Sequence, residues 1–463
     1  MNTPLAELAD LLAGQGEEVE RVGSGECEIA GVEIDSRAPL VGKLFVALRG
    51  ARFDGHDFVA AALAAGAAAA LVERRWWASR QPAGVFLVVE DTRHALARLA
   101  AAWRARFPGP VVGITGSNGK TTVKEMTAAI LRAHFGAESV LATRGNRNND
   151  IGLPLTLLEL EAGHRAAVCE LGINRPGEMA MLAAIARPDV ALVTTAQRAH
   201  LEGFGTLDTV AREKGQIYRF LASDGTAVIP ADDPHASLWR EMAAGRRVLT
   251  FGRGGEVCGT AEPLSWGWRV QVRALGDEGE FTLPLPGRHN VHNALAAIAC
   301  AVALEVPLKT AAGALAAFVP VPGRLQPVPG EQGALLIDDT YNANPDSMRA
   351  AIEVLAALPH ARKLLVLGDM GEVGSEAPRL HAQLGAQARA AGIERLFTLG
   401  ELAREAAAAF GRAAESFAEL EPLVQRLRAE LSPQTAVLVK GSRFMRMERV
   451  VFALAARSAA LQG

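Results

Sequence analysis

The segment VVGITGSNGKTTVKEM, residues 111–126, places a lysine and two threonines directly after a glycine-rich turn. A β-branched run leads into the turn and a helix-like pattern follows it. Glycines let successive backbone N–H groups point at one anion, which suits phosphate oxygens. Gly116, Ser117, Asn118 and Gly119 would form the cradle. Lys120 would reach the β- and γ-phosphates of a nucleoside triphosphate, and the Thr121 hydroxyl would hold Mg2+, with Thr122 beside it. The usual loop carries a glycine five residues before the Gly-Lys pair. Here Ile114 stands there, and the glycines are Gly113, Gly116 and Gly119. A chance Lys-Thr in a loop is the weaker reading, because strand, turn, Lys-Thr and helix all coincide. The loop by itself implies a triphosphate and no particular reaction.

Other residues carry chemistry only in company. Glu170 ends the apolar run in CELGINRPGEM (169–179), and carboxylates at parallel-strand ends face the crevice where ligands sit. Alone it reads more readily as a solvated strand end. His200 lies in DVALVTTAQRAHLEGFG (189–205) and Lys214 in VAREKGQIY (210–218); a polar loop histidine and a solvated helix lysine are the default readings. Asn290 and Asn293 in PLPGRHNVHNALAAIACA (284–301) fall at i and i+3, on one face of a helix start. Capping by Asn290 is the plain alternative. Arg324 in PGRLQ (322–326) and Asp339 in IDDTYNANPDSM (337–348) open the last third of the chain. Asp35, Ser36 and Arg37 form a short DSR turn whose hydroxyl and guanidinium suit a pyrophosphate.

The elements that must position these residues fall into three stretches. A chain of 463 residues is too long for one core. Residues 1–104 mix short strands, KLFVALRG (43–50) and GVFLVVED (84–91), with alanine-rich helices, including one predicted over 56–73. FPGP (107–110) reads as a linker. Over 105–322, strands PVVGIT, RAAVCELG, DVALVTT, GTAVIP and RVLTFG alternate with helical patterns, which implies βαβ units and a mostly parallel sheet. PVPGR (320–324) is a second break. Residues 323–463 repeat the pattern with ALLIDDT, KLLVLGD, RLFTLG and TAVLVKG, a Rossmann-like domain.

Composition narrows the class. Lys plus Arg is 48 against 51 for Asp plus Glu, so no basic excess points to nucleic acid or an anionic membrane. Four scattered cysteines without a CxxC read as reduced core residues of a cytoplasmic protein. The N-terminal MNTPLAELADLLAG is an acidic amphipathic helix rather than a signal peptide, and 58–72 is too short to span a bilayer. No membrane segment is expected, and nothing demands more than a monomer.

The glycine spacing of the loop, Gly-x-x-Gly-x-x-Gly-Lys-Thr, resembles that of the Mur ligase and folylpolyglutamate synthase superfamily. The motifs above follow in the family's order over roughly 110–350. The resemblance implies that Glu170 and His200 bind magnesium, in two sites with Thr121. It implies that Lys214 is carbamylated by CO2, which would turn a cation into a hard oxygen ligand suited to Mg2+. It implies that Asn290 and Asn293 lie near adenine and phosphates, that Arg324 reaches the nucleotide and that Asp339 contacts ribose or phosphates. Some relatives carry lysine two residues after that aspartate; Tyr341 stands here.

Residues 31–73 resemble the uridine-nucleotide-binding domain of the two later ligases of the family. DDTYNANPDSM, VLGDMGEVG (366–374) and VKGSRFMRME (439–448) resemble the branch that adds D-alanyl-D-alanine; the DNPR motif of the branch that adds the third amino acid is absent. The implied activity is ATP-dependent amide formation through an acyl phosphate. The implied partners are UDP-N-acetylmuramoyl-tripeptide and D-alanyl-D-alanine, with Asn342 and Asn344 as dipeptide contacts. The competing readings are the third-residue ligase and a non-catalytic triphosphate-binding regulator.

Overall fold

A computed structural model describes residues 1–198 and 201–456. The chain builds three large sheets in succession, plus a two-stranded pairing of Thr3–Pro4 with Glu28–Ile29. The first large sheet has five strands, in the order Glu20–Val22, Phe86–Val89, Ala69–Glu73, Leu44–Val46, Val32–Glu33. All pairings except the first are parallel. Helices Leu5–Gly14 and Thr92–Ala105 cover one face.

The helix expected over 56–73 is only half present. Val59–Ala64 is helical, but Ala69–Glu73 is a wholly buried strand near the centre of that sheet. Gly66 breaks the run at φ +99°, with Val41 close against it. Alanine fits helix or buried strand, and packing between two neighbouring strands decides.

The second sheet has nine strands. Six parallel strands run in the order Arg247–Phe251, Thr226–Pro230, Val190–Val193, Val111–Thr115, Ala166–Glu170, Val140–Ala142. Val111–Thr115 is buried on both faces, as expected of a central parallel strand. Chain order runs to both sides of this strand, so a topological switch point lies at its carboxyl end. At the far edge Val257–Pro263 joins in parallel, and Trp268–Ala274 and Asp277–Leu283 continue antiparallel. The alternating-βα expectation lacked these strands, although the in-and-out burial of Trp268–Ala274 follows a period of two.

The third sheet has six strands, with the order Gln326–Pro329, Leu335–Asp339, Thr435–Lys440, Arg362–Gly368, Arg395–Leu399, Ala414–Phe417. Only its first pairing is antiparallel. Of the cysteines, all free, Cys169 and Cys300 are buried as predicted, whereas Cys27 and Cys258 are partly exposed. Among the described residues no helix is long and apolar enough to cross a membrane.

Candidate active site

The glycine-rich loop sits at the switch point, between strand Val111–Thr115 and helix Lys120–Phe135. Two of its glycines are forced. Gly116 has φ +150°, and a Cβ there would overlap the Thr194 hydroxyl. Gly119 has φ +82°, and a Cβ would lie 2.5 Å from Asn293 Oδ1. Ser117 N donates to the Thr195 carbonyl at 2.8 Å, and Ser117 Oγ exchanges hydrogen bonds with the Gln197 backbone at 3.0 and 2.9 Å. Thr194 Oγ1 donates to the Asn118 carbonyl at 2.6 Å. The loop is therefore braced before any ligand arrives. Lys120 folds back on it, donating to the Gly116 carbonyl at 2.8 Å. Burial lowers its pKa, Glu170 opposes the shift and Arg324 adds to it.

One turn along, Thr121 Oγ1 donates to Glu170 Oε2 at 2.9 Å. Asn148 Nδ2 holds the other carboxylate oxygen at 2.8 Å, and Glu170 N donates to Thr143 Oγ1 at 3.0 Å. The fully buried Lys124 donates to the Thr143 carbonyl at 2.7 Å and pairs with Glu125. Glu170 is 2% exposed, so it is a positioned carboxylate and not a solvated strand end.

Lys214, on helix Leu207–Gly215, is 1% exposed, and its Nζ has no hydrogen-bond partner among the described residues. Burial pushes its pKa well below the ordinary ammonium range, and the charge of Lys120 pushes it further. An unpartnered amine held toward the neutral form is the chemistry that carbamylation needs. His200 lies outside the described residues. Among those described, no three His, Cys, Asp or Glu side chains converge. The hard donors present are the Thr121 hydroxyl and Glu170.

Asn290 and Asn293 are buried on helix Arg288–Ala303. Asn290 does not cap: Gly287 is the N-cap, and Asn290 Nδ2 donates to the Pro286 carbonyl at 2.7 Å. Asn293 Nδ2 donates to Asn290 Oδ1 at 3.0 Å. Both line a cavity of about 720 Å3 between the second and third sheets, with Gly119, Thr122, Arg324 and Asp339. Asp339 forms a buried ion pair with Lys440 at 2.7 Å. Lys440 also donates to the Asn342 carbonyl at 2.9 Å. A lysine thus reaches Asp339 from the neighbouring strand, not from position 341.

The third unit touches the loop directly. Asn344 caps helix Pro345–Ala357 in a reciprocal capping box with Ser347. Its Nδ2 donates to Asn118 Oδ1 at 2.8 Å. In this arrangement both ends of the Asn344 amide are engaged, by the cap and by the loop. Asn342 is exposed, and its side chain accepts from Ala343 N at 2.8 Å. Two residues into that helix, Asp346 takes Arg198 at 2.8 and 3.3 Å and also its backbone N–H at 3.1 Å. The DSR turn lies apart on the first sheet, where Arg37 and Asp35 form an exposed pair at 2.8 Å that lowers the Asp35 pKa to about 2. Motif reading missed Asn148, Thr194, Arg198, Asp346 and Lys440. Thr194 and Arg198 lie in the 189–205 stretch, Asp346 in 337–348 and Lys440 in 439–448, but those motifs named no contact for them, and Asn148 lay outside every motif.

A braced triphosphate loop, a carboxylate beside its threonine, a buried amine and a third unit docked on the loop define an ATP-using ligase fold. The chain belongs to the Mur ligase family: residues 28–104 match the Mur ligase family catalytic domain, 114–301 the Mur ligase middle domain and 323–443 the Mur ligase glutamate ligase domain. Among relatives, the UDP-N-acetylmuramoyl-tripeptide--D-alanyl-D-alanine ligase of Escherichia coli (strain K12) is 41% identical, with 98% of each chain covered. A crystal structure of MurF from Acinetobacter baumannii superposes with a TM-score of 0.88 at 37% identity, covering 96% of this chain and 97% of that one. MurF from Thermotoga maritima in complex with ADP gives 0.80 at 31%, covering 91% and 96%.

Proposed function

We propose that this chain joins D-alanyl-D-alanine to UDP-N-acetylmuramoyl-tripeptide with conversion of ATP to ADP and phosphate, giving the pentapeptide precursor of peptidoglycan in the cytoplasm. The single observation that carries the reading is the end-to-end likeness to ligases of that activity. In this reading residues 1–104 hold the nucleotide sugar, 105–322 hold ATP and 323–463 bring the dipeptide.

A carboxylate and an amine do not condense in water without activation. The tripeptide carboxylate attacks the γ-phosphorus, the bond to the β-phosphate oxygen breaks, and ADP leaves. The dipeptide amine attacks the resulting acyl phosphate; the tetrahedral intermediate expels phosphate and the nitrogen loses a proton. Attack of one anion on another requires fixed positive charge, the main resource of phosphoryl transfer. Lys120 lies in the loop to serve the β- and γ-phosphates. Thr121 and Glu170, hydrogen-bonded to each other, would hold a Mg2+ ion beside the phosphates. Lys214, once its neutral amine had added CO2 and released a proton to become a carbamate, would hold a second ion together with His200. The metals supply charge neutralisation and orientation. Asn290, Asn293, Arg324 and Asp339 line the cavity where the nucleotide fits.

The test is phosphate release from ATP with the tripeptide nucleotide, with and without D-alanyl-D-alanine, and with meso-diaminopimelate and the dipeptide nucleotide as the rival pair. Release requiring tripeptide and D-alanyl-D-alanine supports the reading. Release only with the rival pair, or none, rejects it.

A further inference from the structure

Tyr341, which the ligase reading leaves without a role, lies against Arg324. The Arg324 guanidinium carbon lies 4.2 Å from the centroid of the Tyr341 ring. A guanidinium stacked at that distance keeps its N–H donors in its own plane, free to point past the ring. One of them, Nε, is buried and has no hydrogen-bond partner among the described residues. A buried donor without an acceptor is costly, and the residue that carries this one lines a cavity from which an arriving acceptor can meet it. The cavity that Arg324 lines also holds Gly119, Asn293, Asp339 and Lys440. The charge of Arg324 is felt at both Lys120 and Lys440, which places it inside the same cationic cluster.

Tyr341 grips the neighbouring backbone as well. Its N–H donates to the Gly323 carbonyl at 3.2 Å. Gly323 has φ +72°, and a Cβ there would come within 3.1 Å of Tyr341 N. Ring and backbone of one residue therefore hold two consecutive residues, Gly323 and Arg324, at the join between the second and third units.

We propose that Tyr341 is a positioning residue for the nucleotide phosphates: its ring face holds the Arg324 guanidinium so that its in-plane donors, Nε included, meet the polyanion in the cavity. The proposal rests on ATP occupying that cavity. The phenol hydroxyl has no part in it; the π face does.

The test measures ADP affinity by calorimetry and the KM for ATP in the full-length protein and its variants. Y341F keeps the ring face, so both quantities stay within about twofold. Y341L removes the face and raises both about three- to thirtyfold, the range of a desolvated cation–π contact, with a smaller change in kcat and none in the KM for the nucleotide sugar. R324A raises them at least as much, and Y341L adds nothing in an R324A background. Full additivity of the two substitutions overturns the proposal. So does a Y341F as impaired as Y341L, or a Y341L that binds ADP normally. A general structural defect would appear as a lowered melting temperature with all KM values disturbed, which also counts against it. Failure of the unaltered protein to bind ADP removes the ligase reading first and this proposal with it.

Discussion

The middle unit meets its two neighbours in opposite ways. Toward the first unit the junction is a continuous apolar core. Leu96 and Leu99 of helix Thr92–Ala105 share one cluster with Leu153, Leu157 and Leu182 of the middle unit. Its polar groups are satisfied within it. Arg104, 8% exposed, donates to the Ala186 carbonyl at 3.0 Å, the Arg187 carbonyl at 3.1 Å and Asp189 at 2.8 Å. Toward the third unit the junction is a cavity rimmed by polar pairs, Asn118 with Asn344 and Arg198 with Asp346. Apolar burial has no alternative geometry of equal energy, whereas a few exposed-edge polar contacts exchange readily with water. The first pair of units should move as one body, and the third should dock and release. These two polar pairs involve the phosphate loop and the segment leading to His200, so docking and nucleotide binding report on each other.

The largest effect that sharpens this contrast is Leu99→Ala. It should destabilise the protein by about 2–5 kcal/mol while leaving turnover at 25 °C near normal. Chemical denaturation would show it, and separate transitions for the first and middle units would break the comparison. Asp346→Ala should do the reverse. Asp346 is 8% exposed and its Arg198 partner 44%, so stability should fall by about 1–2 kcal/mol, less than for Leu99→Ala, while kcat/KM falls about ten- to a hundredfold through misplaced groups. Small-angle scattering with an ATP analogue and tripeptide nucleotide should show less compaction than the native protein; equal compaction would detach Asp346 from docking.

Lys214 gives a smaller effect of known sign. Its folded pKa lies below 10.5, so between the two values the unfolded chain binds a proton that the folded one does not. Stability therefore rises with pH across that window. In CO2-free buffer Lys214→Met should raise the melting temperature at pH 7 and flatten this rise, yet abolish ligation. A lower melting temperature with the slope intact would contradict it. Arg37→Ala comes last. The Asp35–Arg37 pair is exposed, so no change in melting temperature is expected. Only the KM for the nucleotide sugar should rise, and an unchanged KM would remove the turn from the substrate site.

Legibility followed locality. The loop from Gly116 to Thr122 and the paired Asn290 and Asn293 are each contained in one short motif, so residue types and spacing sufficed. Asp346 meets Arg198 across 148 residues and Asn344 meets Asn118 across 226, and no local pattern encodes either pairing. Lys440 reaches Asp339 only because Thr435–Lys440 runs parallel beside Leu335–Asp339 in the sheet. The strand Ala69–Glu73 hid inside an alanine-rich run because its environment, not its composition, selects the extended form. The three-unit architecture was visible because strand runs and Pro-Gly breaks alternate on the scale of a domain.

The shared core of the first two units also has a consequence for synthesis. Helix Thr92–Ala105 packs against Gly152–Leu158 and Glu178–Ala186, which follow it in the chain. After residue 105 is made, roughly 80 more residues must be added before that apolar face has its cover, some 4–16 s at ordinary rates of translation. During that interval the nascent chain displays Leu96, Leu99 and the alanines beside them to the cell, so this enzyme is most exposed to chaperones and to aggregation while it is being born. A fragment ending at 104 would carry that condition permanently.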